Sequence, residues 1–233
     1  MSRDSEVEHN ARLVLERVHT LAAACGRPVV VVAATKTQPV PLIRAALAAG
    51  IRDIGENRVQ EAVEKHRELA GEDARWHMIG RLQRNKVRTA VRLFSLIQSV
   101  DSLALAGTIE REAAALGRVM PVLVEVNVGR EAAKGGVDPA EAVNFTETLG
   151  RYPHLRVEGL MAVPPAGTNP EDSRPFFRRM RELQAKIMDR GWTHAPAGIL
   201  SMGMSADYEV AIQEGATMVR VGTAIFGPRT AGR

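Results

Sequence analysis

Between residues 28 and 222 the chain repeats one pattern. A short run of consecutive apolar residues comes first. A longer stretch follows, in which apolar residues recur every three or four positions. Runs of the first kind read as strands buried on both faces, and stretches of the second as amphipathic helices. Val29–Thr35 is the clearest run: four valines bounded by Pro28 and by the turn Thr37-Gln38-Pro39, with Lys36 at its end. The pattern predicts strands at 29–35, 51–55, 75–79, 94–98, 121–128, 157–162, 197–202 and 218–222. It predicts helices at 40–49, 57–69, 83–91, 102–116, 138–149, 173–190 and 206–214, with one more at 4–25 ahead of the first strand.

Local signals set the helix ends. Gly50 and Gly215 stop two helices, Asp101 and Ser205 stand where N-caps belong, and Pro139 suits a first turn. Spacing turns Val7, Ala11, Val14, Val18 and Leu21 inward on the first helix. It selects Leu105, Ile109, Ala113 and Leu116 on 102–116, and Phe176, Met180, Leu183 and Ile187 on 173–190.

Strict alternation of strand and helix implies parallel strands with right-handed crossovers. Eight such units close into an α/β fold: a single (β/α)8 TIM-type barrel with an extra N-terminal helix, one domain over residues 1–233. An open doubly wound sheet is the alternative, but eight strands in 233 residues leave no room for a second domain. The last strand is followed by a short tail, and the first helix is expected to fill the place of the missing last one.

Barrels of this kind keep their chemistry at the C-terminal strand ends. That places Lys36, Glu56, Asn57, His77, Gln98, Glu125, Ser201, Arg220 and Gly222 on one rim. A lysine at the mouth of a buried wall loses affinity for its proton, and its neutral amine can attack a carbonyl. The loops carrying Gly203 and Ser205, and Gly222 and Thr223, follow strands seven and eight, where barrels often hold phosphate. Taken singly, those glycines read as turns, Ser205 as a cap and His77 as a hydrogen-bonded structural group.

Composition narrows the classes. Hydrophobic residues make up 45% and charged residues 25%, which is ordinary for a soluble globular chain. Aromatics at 4% argue against a base-stacking nucleic-acid platform, and a net charge of +4 fits small anionic ligands. The one cysteine, Cys25, rules out an intrachain disulfide and fits a reducing, cytoplasmic compartment. Residues 1–20 carry mixed charge rather than a signal pattern, and no apolar run is long enough for a membrane span. Neither zinc-binding histidine spacing nor a nucleotide-binding glycine motif is present. Arg81, Arg84, Lys86 and Arg88 form a basic patch that reads first as a solvated helix face.

Five motifs carry a resemblance: Thr35-Lys36-Thr37, Gly55-Glu56-Asn57, Trp76 to Lys86 (WHMIGRLQRNK), Leu200 to Ser205 (LSMGMS) and Val219 to Gly227 (VRVGTAIFG). In order and spacing these resemble the pyridoxal-phosphate homeostasis protein family, whose barrel is similar to the N-terminal domain of alanine racemase. The resemblance implies that pyridoxal 5'-phosphate is the cofactor. It implies a covalent aldimine on Lys36, phosphate held by Ser201, Gly222 and Thr223 with neighbouring backbone, Arg220 facing the pyridine nitrogen, and Asn57 and His77 lining the cofactor; Gly203 is a further cofactor-binding candidate. It implies a carrier that buffers the cofactor or delivers it to pyridoxal-phosphate-dependent apoenzymes without established turnover; a monomer is expected. An amino-acid racemase is the alternative; it needs a second acid/base, and the only tyrosines are Tyr152 and Tyr208. Gln38 stands where many members carry a second lysine, whereas Lys134 matches a lysine of the family.

Overall fold

The computed structural model describes residues 2–228. Residue 1 and residues 229–233, which include the end of the expected tail and both ends of the expected 1–233 domain, lie outside the described residues. Helix α1 (Arg3–Ala24) precedes the first strand. Then β1 (Val30–Ala34), α2 (Val40–Ala48), β2 (Asp53–Glu56), α3 (Val59–Glu68), β3 (Arg75–Met78), α4 (Val87–Leu93), β4 (Leu96–Val100) and α5 (Leu103–Ala115) alternate. The second half continues with β5 (Met120–Glu125), α6 (Ala142–Leu149), β6 (Leu155–Met161), α7 (Arg174–Met188), β7 (Ile199–Ser201), α8 (Tyr208–Gln213), β8 (Met218–Val221) and α9 (Thr223–Phe226).

The eight strands are parallel and close in sequence order, the (β/α)8 barrel that the alternation predicts. Closure is made by β1 on β8, with Val30 opposite Met218 and Val32 opposite Arg220. Helix α1 packs on α2, α8 and α9, so it does cover the seam beside the last strand.

The core has two parts, because parallel strands bury both faces. The outward faces of the strands and the inner stripes of the helices share one apolar shell. Inside the barrel a smaller cluster, centred on Val32, Leu96, Leu123, Met161 and Met218, fills the lumen. Polar side chains are buried beside that cluster, and they position the site.

Local expectations shift in five places. The last strand is followed by a helix after all, the one-turn α9. Helix α6 begins at Ala142 rather than near 138, because the Asp138 carboxylate accepts the Ala140 N–H at 2.8 Å and holds a turn there. Ser102, not Asp101, caps α5, its hydroxyl accepting the Leu105 N–H, and Leu116 at its end is 40% exposed. On α7 the buried phenylalanine is Phe177, with Phe176 only half-buried, since a 3-10 turn over Pro170–Ser173 alters the phase in which the helix starts. Ser205 does not cap α8, whose N-cap is Asp207.

Candidate functional site

The C-terminal ends of β1, β7 and β8 enclose a cavity of about 260 Å³ lined by Lys36, Gln38, Ser205, Arg220, Gly222 and Thr223. Lys36 follows β1 directly and is half-buried. Its backbone is clamped from behind. The Lys65 ammonium, on α3, donates to the Thr35 carbonyl at 2.7 Å and to the carboxylates of Glu56 at 2.7 Å and Glu61 at 2.6 Å. Glu61 in turn accepts the Thr37 N–H at 2.6 Å, and Thr35 donates its hydroxyl to Glu56 at 2.5 Å. Both neighbours of Lys36 are therefore tied to one ion network, which holds Thr37 at its left-handed φ of +63°. Burial pushes the Glu56 carboxyl up, more than Lys65 and Thr35 pull it down, and its second oxygen has no partner among the described residues.

Across the cavity, the backbone N–H groups of Gly222 and Ala224 both donate to the Ser205 hydroxyl, at 3.0 and 3.2 Å. Two converging backbone donors and a hydroxyl at the start of α9 make an oxyanion cradle. The turn that carries Ser205 depends on Gly203. Its φ is +91°, and an added Cβ would lie 2.5 Å from the Ala211 Cβ, so only glycine fits. Gly203 builds the loop and does not line the cavity.

Arg220 forms the floor. It points inward and is only 4% exposed, donating to the Ser201 hydroxyl at 2.6 Å and to the Ala162 carbonyl at 2.8 Å. Burial lowers its pKa to about 10, against the opposing pull of Glu125 and Asp207, so it stays charged at neutral pH. From Arg220 a file of hydrogen bonds crosses the lumen. Ser201 donates to the Gln98 carbonyl oxygen at 2.7 Å. The Gln98 amide reaches His77 Nδ1 at 3.0 Å, and His77 Nε2 reaches Asp53 at 2.9 Å. An amide nitrogen only donates, so Nδ1 accepts and Nε2 carries the proton. Asp53 also takes a two-point contact from Arg75, at 2.9 and 2.6 Å. Burial raises the Asp53 pKa, yet the bonds from His77 and Arg75 outweigh it and leave the net shift downward. A register shift in β4 between Ile97 and Val100 accompanies the inward turn of Gln98.

The expected residues thus divide. Lys36, Arg220, Gly222 and Thr223 meet in one cavity. Ser201 and His77 lie in the lumen with their polar atoms engaged, away from the cavity wall. Asn57 lines a different, larger groove over β2 to β4. Lys134 ion-pairs with Glu131 and reaches the Pro164 carbonyl at 3.1 Å; it lines a neighbouring cavity that shares Met204 and Ala206 with that of Lys36. Tyr152 and Tyr208 line neither of these two. Sequence reasoning put the Ser205 loop where barrels hold phosphate but read its hydroxyl as a helix cap; the hydroxyl instead meets residues 17 and 19 positions away, a contact no local signal shows. It placed Glu125 on the rim without giving it a role; its carboxyl is raised to about 7 by burial and by the charge of Asp101, against the pull of Arg220 and Arg81. Its position at the end of β5 was the only signal.

Comparison with known proteins agrees with this arrangement. The sequence pattern of the family "Alanine racemase, N-terminal domain" matches residues 4–230. The pyridoxal phosphate homeostasis protein of Aquifex aeolicus is 44% identical over 219 residues, covering 93% of this chain and 95% of that protein. The structure of PipY from Synechococcus elongatus with PLP bound superimposes with a TM-score of 0.78 at 40% identity, over 85% of this chain and 92% of that one. Alanine racemase of Clostridium difficile shares the fold at 17% identity, with a TM-score of 0.74 over 96% of this chain and 57% of the racemase. A barrel closed as in the racemases and a sequence this close to the homeostasis proteins lead to one conclusion: the chain belongs to the pyridoxal phosphate homeostasis protein family.

Proposed function

We propose that this chain binds pyridoxal 5'-phosphate at the Lys36 cavity and buffers or delivers it in the cytoplasm, as a monomeric carrier rather than a turnover enzyme. One observation carries the reading: a lysine amine and a two-N–H cradle face the same cavity. This donor set fits the cofactor, which needs an amine for its aldehyde and donors for its phosphate. When bound, the cofactor supplies an electrophilic aldehyde and an electron-withdrawing ring.

The chain's residues then have separable tasks. Lys36 provides the attachment point, and the Lys65–Glu61–Glu56 network fixes the backbone on either side of it. Gly222, Ala224 and Ser205 hold the phosphate, with Thr223 beside them. Arg220, held by Ser201 and Ala162, would meet the ring nitrogen and could offer it only a donor. A ring nitrogen kept unprotonated draws electrons weakly, which suits holding more than reacting. His77 and Ser201 act from below, through Arg220, and the whole barrel serves as one binding unit over 1–233.

The racemase reading requires a second acid/base at the cavity. Among the described residues, Lys36 and Arg220 are the titratable side chains that line it. Gln38 puts a neutral amide where a second amine would serve transfer. Loading the protein with the cofactor, reducing with borohydride and mapping peptides tests the site: label is expected on Lys36 and absent from Lys36→Ala. Label persisting elsewhere at full yield in Lys36→Ala overturns the assignment. Sustained exchange of an amino acid's α-proton with solvent deuterium would overturn the carrier reading. Transfer to an apoenzyme faster than free dissociation would support delivery.

A further inference from the structure

We propose that the groove over β2, β3 and β4 is a second binding site, for a small polyanion carrying two or more phosphate groups. The groove encloses about 860 Å³ and is lined by Arg58, Arg81, Arg84 and Lys86, with Asp101 as its one acidic residue. That volume lies within the range of small-molecule pockets.

The four cations share one concave wall and lack carboxylate partners. Several other arginines do meet carboxylates: Arg17 with Glu209, Arg44 with Glu72, Arg75 with Asp53, Arg174 with Glu171 and Glu214. Among the described residues, the side chains of Arg58, Arg81, Arg84 and Lys86 make no hydrogen bond or ion pair. Like charges gathered in a concave surface raise one another's energy and concentrate a positive field, and an anion relieves both. Arginine forks suit phosphate oxygens in two-point contacts.

The groove is also built to keep its shape. An added Cβ on Gly80 would lie 2.7 Å from the backbone of Asn57, so the loops after β2 and β3 touch backbone to backbone. Leu82 and Leu105, each 4% exposed, seat the basic segment on the apolar core, and a 3-10 turn over Arg84–Lys86 carries two of the cations. Among the described residues no aromatic ring lines the groove, which disfavours a stacked base or a single strand of nucleic acid. Recognition rests on the phosphates. They could belong to inorganic pyrophosphate or to a nucleoside diphosphate.

Calorimetry on the cofactor-loaded protein tests this, with inorganic pyrophosphate, ADP and inorganic phosphate as probes. Pyrophosphate is expected to saturate one site, with phosphate about tenfold weaker. ADP equal to pyrophosphate assigns recognition to the diphosphate alone; ADP about tenfold tighter assigns a nucleotide source. The double variant Arg58→Ala/Arg84→Ala should weaken pyrophosphate at least about tenfold while the thermal midpoint and the cofactor's absorbance stay unchanged. The proposal is overturned by an absence of saturable binding, by binding that the double variant leaves intact, or by binding seen only when the Lys36 cavity lacks cofactor. An oligonucleotide that outcompetes pyrophosphate would also overturn it.

Discussion

The two halves of the barrel rim use charge in opposite ways. Over β7, β8 and β1, the groups that shape the site have partners inside the protein. Arg220 is buried against Ser201 and Ala162, the Gly222 and Ala224 N–H groups rest on Ser205, and Lys65 locks the backbone beside Lys36. Over β2 to β4 the cations of Arg58, Arg81, Arg84 and Lys86 stand in a wide groove with their donors directed at no protein acceptor. The first half is preorganised, so a ligand there displaces little and gains much. The second half leaves its charges exposed in a groove, so any anion binding there would weaken with added salt. A single fold can thus place a shape-fixed cavity and an exposed cluster of charge on the same face.

That contrast can be broken by mutation, with the largest effects expected on the preorganised half. Gly203→Ala forces a side chain into a left-handed residue and against Ala211. It should cost about 3 kcal/mol in urea denaturation and weaken cofactor binding with it. Unchanged stability would show that the turn has slack.

Glu125 gives a pH signature of comparable size. Its folded pKa is about 7 against an ordinary 4.5, so the folded state holds the extra proton. Stability is therefore full below about pH 4.5 and is lost as pH rises through about 7, by at most about 3 kcal/mol at 1.36 kcal/mol per pH unit. Denaturation of cofactor-free protein at the two ends of that window, compared with Glu125→Gln, isolates this contribution; parallel curves for the two proteins would remove Glu125 as its source.

Ser205→Ala is smaller. It leaves the Gly222 and Ala224 N–H groups without their acceptor in the free protein, at about 1 kcal/mol. Bound phosphate would supply that acceptor again, so the loss should shrink when stability is measured with cofactor present. A loss that grows on loading would mean that the hydroxyl itself is a main phosphate contact. The smallest effect belongs to the other half: Arg58→Ala or Arg84→Ala should change stability by less than about 0.5 kcal/mol, since neither side chain has a protein partner to lose.

The sequence made the architecture readable because eight apolar runs and their intervening stripes are local facts. Residue-level reading failed where a contact joins distant strands. Ser201, Gln98, His77 and Asp53 each look like isolated polar residues in their own strand, and only the closed register lines them up beneath Arg220. Ser205 carried a misleading local signal, a serine ahead of a helix, while its hydroxyl serves the next loop instead. Phe176 and Phe177 are adjacent, so a small change in where α7 starts decides which one is buried. Lys36, Arg220, Gly222 and Thr223 were found because a barrel sends all strand ends to one face, a rule that needs only strand order.

The file from Arg220 to Asp53 has a further use. All its donors point the same way, so a change in charge at the cavity floor alters the polarisation of each bond down to the imidazole. His77 is held in one tautomer by Gln98 and Asp53, and its two ring nitrogens have distinct, fixed environments. The nitrogen-15 resonances of this one buried histidine are thus a native reporter of what occupies the space above Arg220. Filling and emptying of the cavity can be followed from inside the barrel, without a label on the ligand.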